Sequence, residues 1–151
     1  MNISRRNTFK IGIGGLALSL FGMPVVSAYA STELANEAIK KFAGDTKINE
    51  GTFTLNTPEI AENGNTVPIS IEIESPMSED DHVKSVAIFA DGNPNPEVVT
   101  FNFTAVSGVA AAKTRIRLAK TQNIIAVAKM SNGSIEMVKN PVKVTIGGCG
   151  G

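Results

Sequence analysis

The residue type with the most chemistry in this sequence occurs once. Cys149 is the only cysteine, and it sits in the terminal run Gly147-Gly148-Cys149-Gly150-Gly151. A thiol attacks as its thiolate, with an ordinary pKa of about 8.5. Nothing in the run activates it, and the terminal carboxylate two residues on opposes ionisation only weakly in water, by about 1 kcal/mol for unit charges 4 Å apart. Four glycines make the flanks thin and conformationally free. At roughly 3.5 Å per residue, three residues past Ile146 carry the sulfur about 10 Å clear of whatever precedes it. That geometry fits a thiol presented to the active sites of other proteins, which supply its activation. Gly-rich chain ends also arise from lack of constraint. An idle thiol, however, is poorly placed in an oxidising compartment, where it dimerises or over-oxidises.

The other candidates are weaker. A nucleophilic enzyme needs a base beside its nucleophile, and the only histidine, His82, lies between an acidic loop and an apolar run. It reads as a surface residue unless the fold carries it to the tail. Glu79, Asp80 and Asp81 are contiguous, without the alternating spacing of a calcium loop, and read as a solvated loop. One His, one Cys and scattered carboxylates form no recognisable metal set. No Gly-rich phosphate cradle is present, so no cofactor is expected. Lys113, Arg115 and Arg117 alternate with Thr114 and Ile116, which puts three cations on one outer face. That face is either simply solvated or a partner contact.

The elements around these residues begin with an export signal. Arg5, Arg6 and Lys10 precede an apolar stretch from Ile11 to Val26 and then Ala28-Tyr29-Ala30, the layout of a cleaved secretory peptide. Five interruptions, Gly12, Gly14, Gly15, Gly22 and Pro24, and its short length argue against a membrane anchor, which needs about 20 apolar residues. The paired arginines point to the twin-arginine route. Phe9 stands one place beyond the position usual for that motif, so the general secretory route stays open. The expected division is a signal at 1–30, a domain at 31–146 and an arm at 147–151, with a periplasmic destination. The 151-residue chain has 14 basic and 14 acidic residues; without Arg5, Arg6 and Lys10 it has 11 against 14, a formal −3. That gives no footprint for nucleic acid and, after cleavage, none for a membrane. With a single cysteine no internal disulfide can form.

Ser31 to Gly44 carries the one helical pattern. Ser31 or Thr32 is positioned to cap it, Leu34, Ala35, Ala38, Ile39 and Phe42 form its apolar face, and Gly44 stops it. Thereafter the period is two. Strands are expected over Thr52–Leu55, Val67–Ile73, Val83–Ala90, Val98–Val106, Lys113–Leu118 and Asn123–Met130. Ile135, Met137 and Val142–Ile146 follow, with Pro141 interrupting. Asn123–Met130 is nearly all apolar, hence buried on both faces, and Ser131-Asn132-Gly133-Ser134 is a hairpin turn. Pro68 places its strand at an edge or marks a strand entry. Seven or eight short strands at a spacing near ten residues predict an all-β, immunoglobulin-like antiparallel β-sandwich with one short N-terminal helix. A closed barrel is the alternative.

The ending from Val142 through Ile146 to Gly151 resembles the carboxyl terminus of the SoxY family, the sulfur carrier subunits of the bacterial Sox thiosulfate-oxidising system. Val67-Pro68-Ile69, Asn93-Pro94-Asn95-Pro96 and the run from Thr114-Arg115-Ile116-Arg117-Leu118 through Ala126-Val127-Ala128-Lys129-Met130 are similar to that family too. The resemblance implies a sandwich paired with a SoxZ-like subunit and a carrier, not an enzyme. Cys149 would be the covalent attachment site, with Gly147, Gly148, Gly150 and Gly151 as the swinging arm. It also implies transient visits to a c-type cytochrome (SoxAX), a manganese hydrolase (SoxB) and a molybdenum sulfur dehydrogenase (SoxCD). Two rival readings remain: a structural or adhesion sandwich with an incidental cysteine, and a sulfur carrier that uses its terminal Gly-Gly carboxylate.

Overall fold

The computed structural model describes residues 26–148, with side chains from Ser31 onward. A helix, α1 (Val26–Ala43), precedes nine strands: β1 (Ile48–Glu50), β2 (Thr54–Asn56), β3 (Ile60–Asn63), β4 (Val67–Ile73), β5 (Val83–Ala90), β6 (Glu97–Asn102), β7 (Ala110–Ile116), β8 (Gln122–Met130) and β9 (Ile135–Ile146). They form two sheets facing each other as a β-sandwich. One runs β1-β9-β8-β5-β6 with β3 also on β9, and the other runs β2-β4-β7. The expected sandwich with a single N-terminal helix is therefore what forms, though β1 and β3 join β9 in parallel and not antiparallel.

Alternation decides which side chains meet between the sheets. In β4, Val67, Ile69, Ile71 and Ile73 point inward while Pro68 and Glu72 face solvent. They meet Val86, Ile88 and Ala90 of β5 and Ile124, Ala126 and Ala128 of β8. The opposite faces of the same two strands carry Ala87, Phe89, Ile125 and Val127, and these pack beneath Ala38, Ile39 and Ala43 of α1. The near-continuous apolar reading of β8 thus has a structural cause: it is the middle of three layers. Phe42 meets Phe89 edge to face at 6.2 Å and 68°, and the Lys129 ammonium lies 4.4 Å from the Phe42 ring centroid.

Several expectations shift. α1 begins at Val26, because nothing in residues 26–30 breaks a helix, so Ser31 and Thr32 lie inside it and do not cap it. The boundary expected at Ala30 falls within α1. Gly44 ends the helix in a left-handed conformation, φ 69°, and its amide donates to the Lys40 carbonyl at 2.8 Å. β6 stops at Asn102, and a short 3-10 turn at Ala105–Ser107 leaves Val106 exposed. β1 and β3 are too short to show a period.

Pro141 does not interrupt the last strand, and the ladder shows why. Asn123, the register partner of Pro141, turns its N–H to the Asp91 carboxylate and its carbonyl to the Asp91 amide. Both main-chain groups of Asn123 therefore point away from β9, and Pro141 forms a pair that needs no hydrogen bond to β8. On its other edge β9 has β1 over 135–137 and β3 over 143–146. The missing donor faces the gap between them. Pro68 obeys the same rule: β2 reaches only Ser70 on β4, so Pro68 is paired on one side alone.

Ile88 is 1% exposed, at the centre of the sandwich. Ile88→Ala should cost about 2–5 kcal/mol, whereas Val106→Ala, at 94% exposure, should stay within about 0.5 kcal/mol. Urea unfolding of the two variants checks this.

Candidate functional site

The site is the place where β9 leaves the fold. The ladder between β8 and β9 ends at the pair Gln122 and Val142, yet β9 runs four residues further. β3 supports one edge of that extension through Ile60–Lys143, Ala61–Val144 and Asn63–Ile146. On the other edge a side chain replaces the missing strand. The Thr121 hydroxyl accepts from the Val144 amide at 2.9 Å and donates to the Val144 carbonyl at 3.4 Å.

Past Ile146, three main-chain hydrogen bonds link three separate segments. Gly64 N–H donates to Ile146 C=O at 2.7 Å, Leu118 N–H donates to Gly64 C=O at 2.8 Å, and Gly148 N–H donates to Leu118 C=O at 2.8 Å. Backbones this close leave no room for side chains. A Cβ at Gly148 would lie 2.8 Å from the Gly64 carbonyl oxygen, and one at Gly64 would lie 2.7 Å from the Gly148 nitrogen. A Cβ at Gly147 would collide with the Ala119 carbonyl oxygen. None of the three has a positive φ, so close approach, not conformational freedom, requires glycine here.

The Leu118–Ala119 segment is itself held by buried polar groups. Asn93, 2% exposed, donates from Nδ2 to Arg117 C=O at 2.9 Å. Its Oδ1 accepts from Ala119 N–H at 3.0 Å and from Gln122 Nε2 at 2.7 Å. Gln122 in turn donates to Lys120 C=O and accepts from Gly92 N–H at 2.7 Å. Asp91 fixes Asn123 by two hydrogen bonds and lies 3.9 Å from the Lys139 ammonium. In an apolar interior such a network must be fully satisfied to be worth having, and no buried side-chain N or O among the described residues lacks a partner.

The sequence-predicted residues therefore separate into groups. Gly147 and Gly148 do not begin a free arm. Gly148 is buried and both are packed against the loops, so the first two residues of the expected 147–151 arm lie against the sandwich. Cys149, Gly150 and Gly151 lie outside the described residues. His82 is bound to the opposite end of the sheet, its main chain paired with Ser131 and its Nδ1 2.9 Å from Ser78 C=O. At about 3.4 Å per residue, the nine residues of β8 put it roughly 27 Å from the arm root. It cannot act as base for a thiol attached to Gly148. Asp80 and Asp81 share that far end through Ser131 and Ser78. No group of three or more metal-binding side chains occurs among the described residues. Lys113, Arg115 and Arg117 are exposed, as expected. What the sequence reading missed is the Asn93–Gln122 network, whose one visible signal was a glutamine at the entry of an otherwise apolar strand.

A family model described as sulfur oxidation protein SoxY matches residues 39–149, ending on Cys149. Among solved structures, the sulfur carrier protein SoxY from Chlorobium limicola f thiosulfatophilum is 30% identical with a TM-score of 0.66, covering 79% of this chain and 99% of that one. A superoxide reductase (neelaredoxin) from Ignicoccus hospitalis is 14% identical with a TM-score of 0.56, covering 62% of this chain and 80% of that one. A putative superoxide reductase from Thermotoga maritima is 20% identical with a TM-score of 0.53, covering 68% and 89%. These last two show a shared sandwich fold and nothing about chemistry. No curated protein matches the sequence.

The Gly148 amide, held on Leu118, should exchange with solvent deuterium slowly for a residue so near a chain end. Gly64→Ala should speed that exchange at least tenfold by forcing the three backbones apart, with little change at β4 amides. Equal exchange in both proteins would show that the close approach does not hold the root.

Proposed function

The chain belongs to the SoxY family of sulfur oxidation proteins, and from that premise we propose that it is a periplasmic carrier which holds thiosulfate-derived sulfur covalently on Cys149. One observation carries the reading: the fold fixes the main chain through Gly148, and the only cysteine is the next residue. A carrier must present its attachment atom at a defined place while leaving the catalysis to others, and that placement meets the requirement. The export signal read from residues 1–30 supports the location, and the family supports pairing with a SoxZ-like second β-sandwich subunit.

The chemistry follows from the cargo. Loading joins the Cys149 thiol to the outer sulfur of thiosulfate. It releases one proton and two electrons, and a c-type cytochrome partner accepts the electrons. The product is an S-thiosulfonate, Cys–S–S–SO3−. Hydrolysis then breaks the S–SO3 bond; water supplies the oxygen of the sulfate and the hydrogen of the persulfide, sulfate and one proton leave, and Cys–S–SH remains at Cys149. A manganese-dependent partner provides that step, and a sulfur dehydrogenase oxidises the persulfide further or the sulfur is passed on. This chain's one histidine is anchored at the far end of the sheet and does not serve as the base. The chain is a covalent platform, and its partners bring the metals and haem.

Incubation of the purified chain with thiosulfate and an extract of thiosulfate-grown source cells should add one thiosulfonate to its intact mass. Cys149→Ser, or prior blocking with iodoacetamide, should add none. Cargo on the serine variant, or loading that survives the block, would move the attachment to the Gly151 carboxylate and end the proposal.

A further inference from the structure

We propose that the cationic row Lys113, Arg115 and Arg117, with the groove beside it on the outer face of the β2-β4-β7 sheet, is the surface on which enzymes serving Cys149 dock through an acidic rim around their active-site entrance. The inference rests on the carrier reading above and adds the surface that the carrier uses.

Position comes first. Lys113 and Arg115 lie on β7, Arg117 follows its end, and the next residue, Leu118, is the one whose carbonyl holds Gly148. The row therefore leads along the sheet to the arm root. Reach comes second. With Gly148 fixed, the Cys149 Cα is 3.8 Å further along the chain, and its sulfur extends only a few ångströms beyond that. An enzyme that takes this sulfur must bring its own surface against the fold beside the root. A contact surface there is a geometric necessity of a short tether.

Charge and shape then specify the occupant. The three cations are exposed at alternate positions, about 7 Å apart. Among the described residues none of them forms a salt bridge; the one such bridge is Lys139–Asp91. Three cations at that spacing present roughly 14 Å of positive surface, which matches an extended acidic surface. Lys113 and Arg115 border a groove of about 560 Å³ whose other walls include Asn56, Pro58, Pro68 and Ser70. The register sets Arg115 opposite Pro68 and Lys113 opposite Ser70, and Asn56 Nδ2 donates to Ser70 Oγ at 3.2 Å. Two prolines and a cross-strand hydrogen bond give this face a preformed relief. Glu72 is opposite Ala111, on the side away from the root, so the positive end of the face is the end beside Gly148. Complementary charge of this kind raises association rates and fixes register more than it adds affinity.

The test compares the wild-type chain with the triple variant Lys113→Gln, Arg115→Gln, Arg117→Gln. Each, with its SoxZ-like subunit, is titrated into an extract of thiosulfate-grown source cells depleted of the endogenous chain. The initial rate of thiosulfonate loading is read by intact mass. In low salt the triple variant should need about tenfold more protein for half-maximal loading, with the maximal rate unchanged. At 0.5 M salt, where the Debye length is only a few ångströms, the difference should close. The Glu-for-cation triple variant should be weaker still. Alkylation of Cys149 by neutral iodoacetamide should be equal in all, showing an intact root. Wild-type-like half-saturation in the variants would overturn the proposal. So would a fall in maximal rate alone, which would mean the cations act on the anionic cargo, and so would loss of pairing with the second subunit, which would make this the subunit interface. Failure of the wild type itself to load refutes the carrier reading instead.

Discussion

Three lengths of main chain meet at one end of this sandwich with no space for a side chain between them, and the rest of the molecule holds them there. Gly64 comes from the β3–β4 turn, Leu118–Ala119 from the loop after β7, and Gly147–Gly148 from the end of β9. Each of the three hydrogen bonds is worth about 1 kcal/mol net, little by itself. Their effect depends on what braces each strand of the junction. β3 lies along β9 on one edge, and Thr121 substitutes for a strand on the other. The loop is pinned by Asn93 and Gln122 inside the protein, where a broken hydrogen bond costs more than a surface one. The last described residue, Gly148, is thus placed by the whole β-sheet and not by its own neighbours in sequence.

β9 makes this possible because it is longer than any strand beside it. Twelve residues let it take β1, β8 and β3 in turn, so its far end is anchored long after its main partner has stopped. The cost is an edge with a gap, and Pro141 stands in the gap with no donor to leave unpaired. The third layer, α1 over the outer faces of β5 and β8, closes the other side of the middle sheet. These devices also separate reactive groups. The histidine and the acidic loop are tied to the opposite end of the same strands, one β8 length from the junction.

How much of this was legible in the sequence depended on whether the signal was local. The alternation in Val67–Ile73, the doubly apolar run of β8, the Gly133 turn and the Gly44 stop all follow from single-segment periodicity or turn chemistry, and all appear where they were read. β1 and β3 were not legible, because three or four residues hold less than one useful period and their pairing with β9 is decided 87 and 83 residues away, at Ile135 and Lys143. Pro141 misled for a similar reason: a proline breaks a strand or fits it according to which edge lacks a partner, and that is tertiary information. Gly147 and Gly148 were read as slack. Glycine is chosen both for freedom and for closeness, and only the packing partner, here Gly64 and Ala119, distinguishes the two.

That distinction changes what the glycines do for a carrier. A tether free from Ile146 onward would sample a wide volume and lose much entropy each time a partner captured it. With Gly148 held, two fewer residues are left to be ordered on capture, which costs correspondingly less. Among the described residues one main-chain hydrogen bond, Gly148 to Leu118, holds that residue, so exchanging it for a contact with a partner costs about 1 kcal/mol and lengthens the reach by roughly 3.5 Å. The same absence of a side chain that admits Gly148 between Gly64 and Leu118 would admit it to a narrow entrance elsewhere. A residue with a Cβ would fail at both, which is why the run on the amino side of Cys149 is glycine from the moment the strand ends.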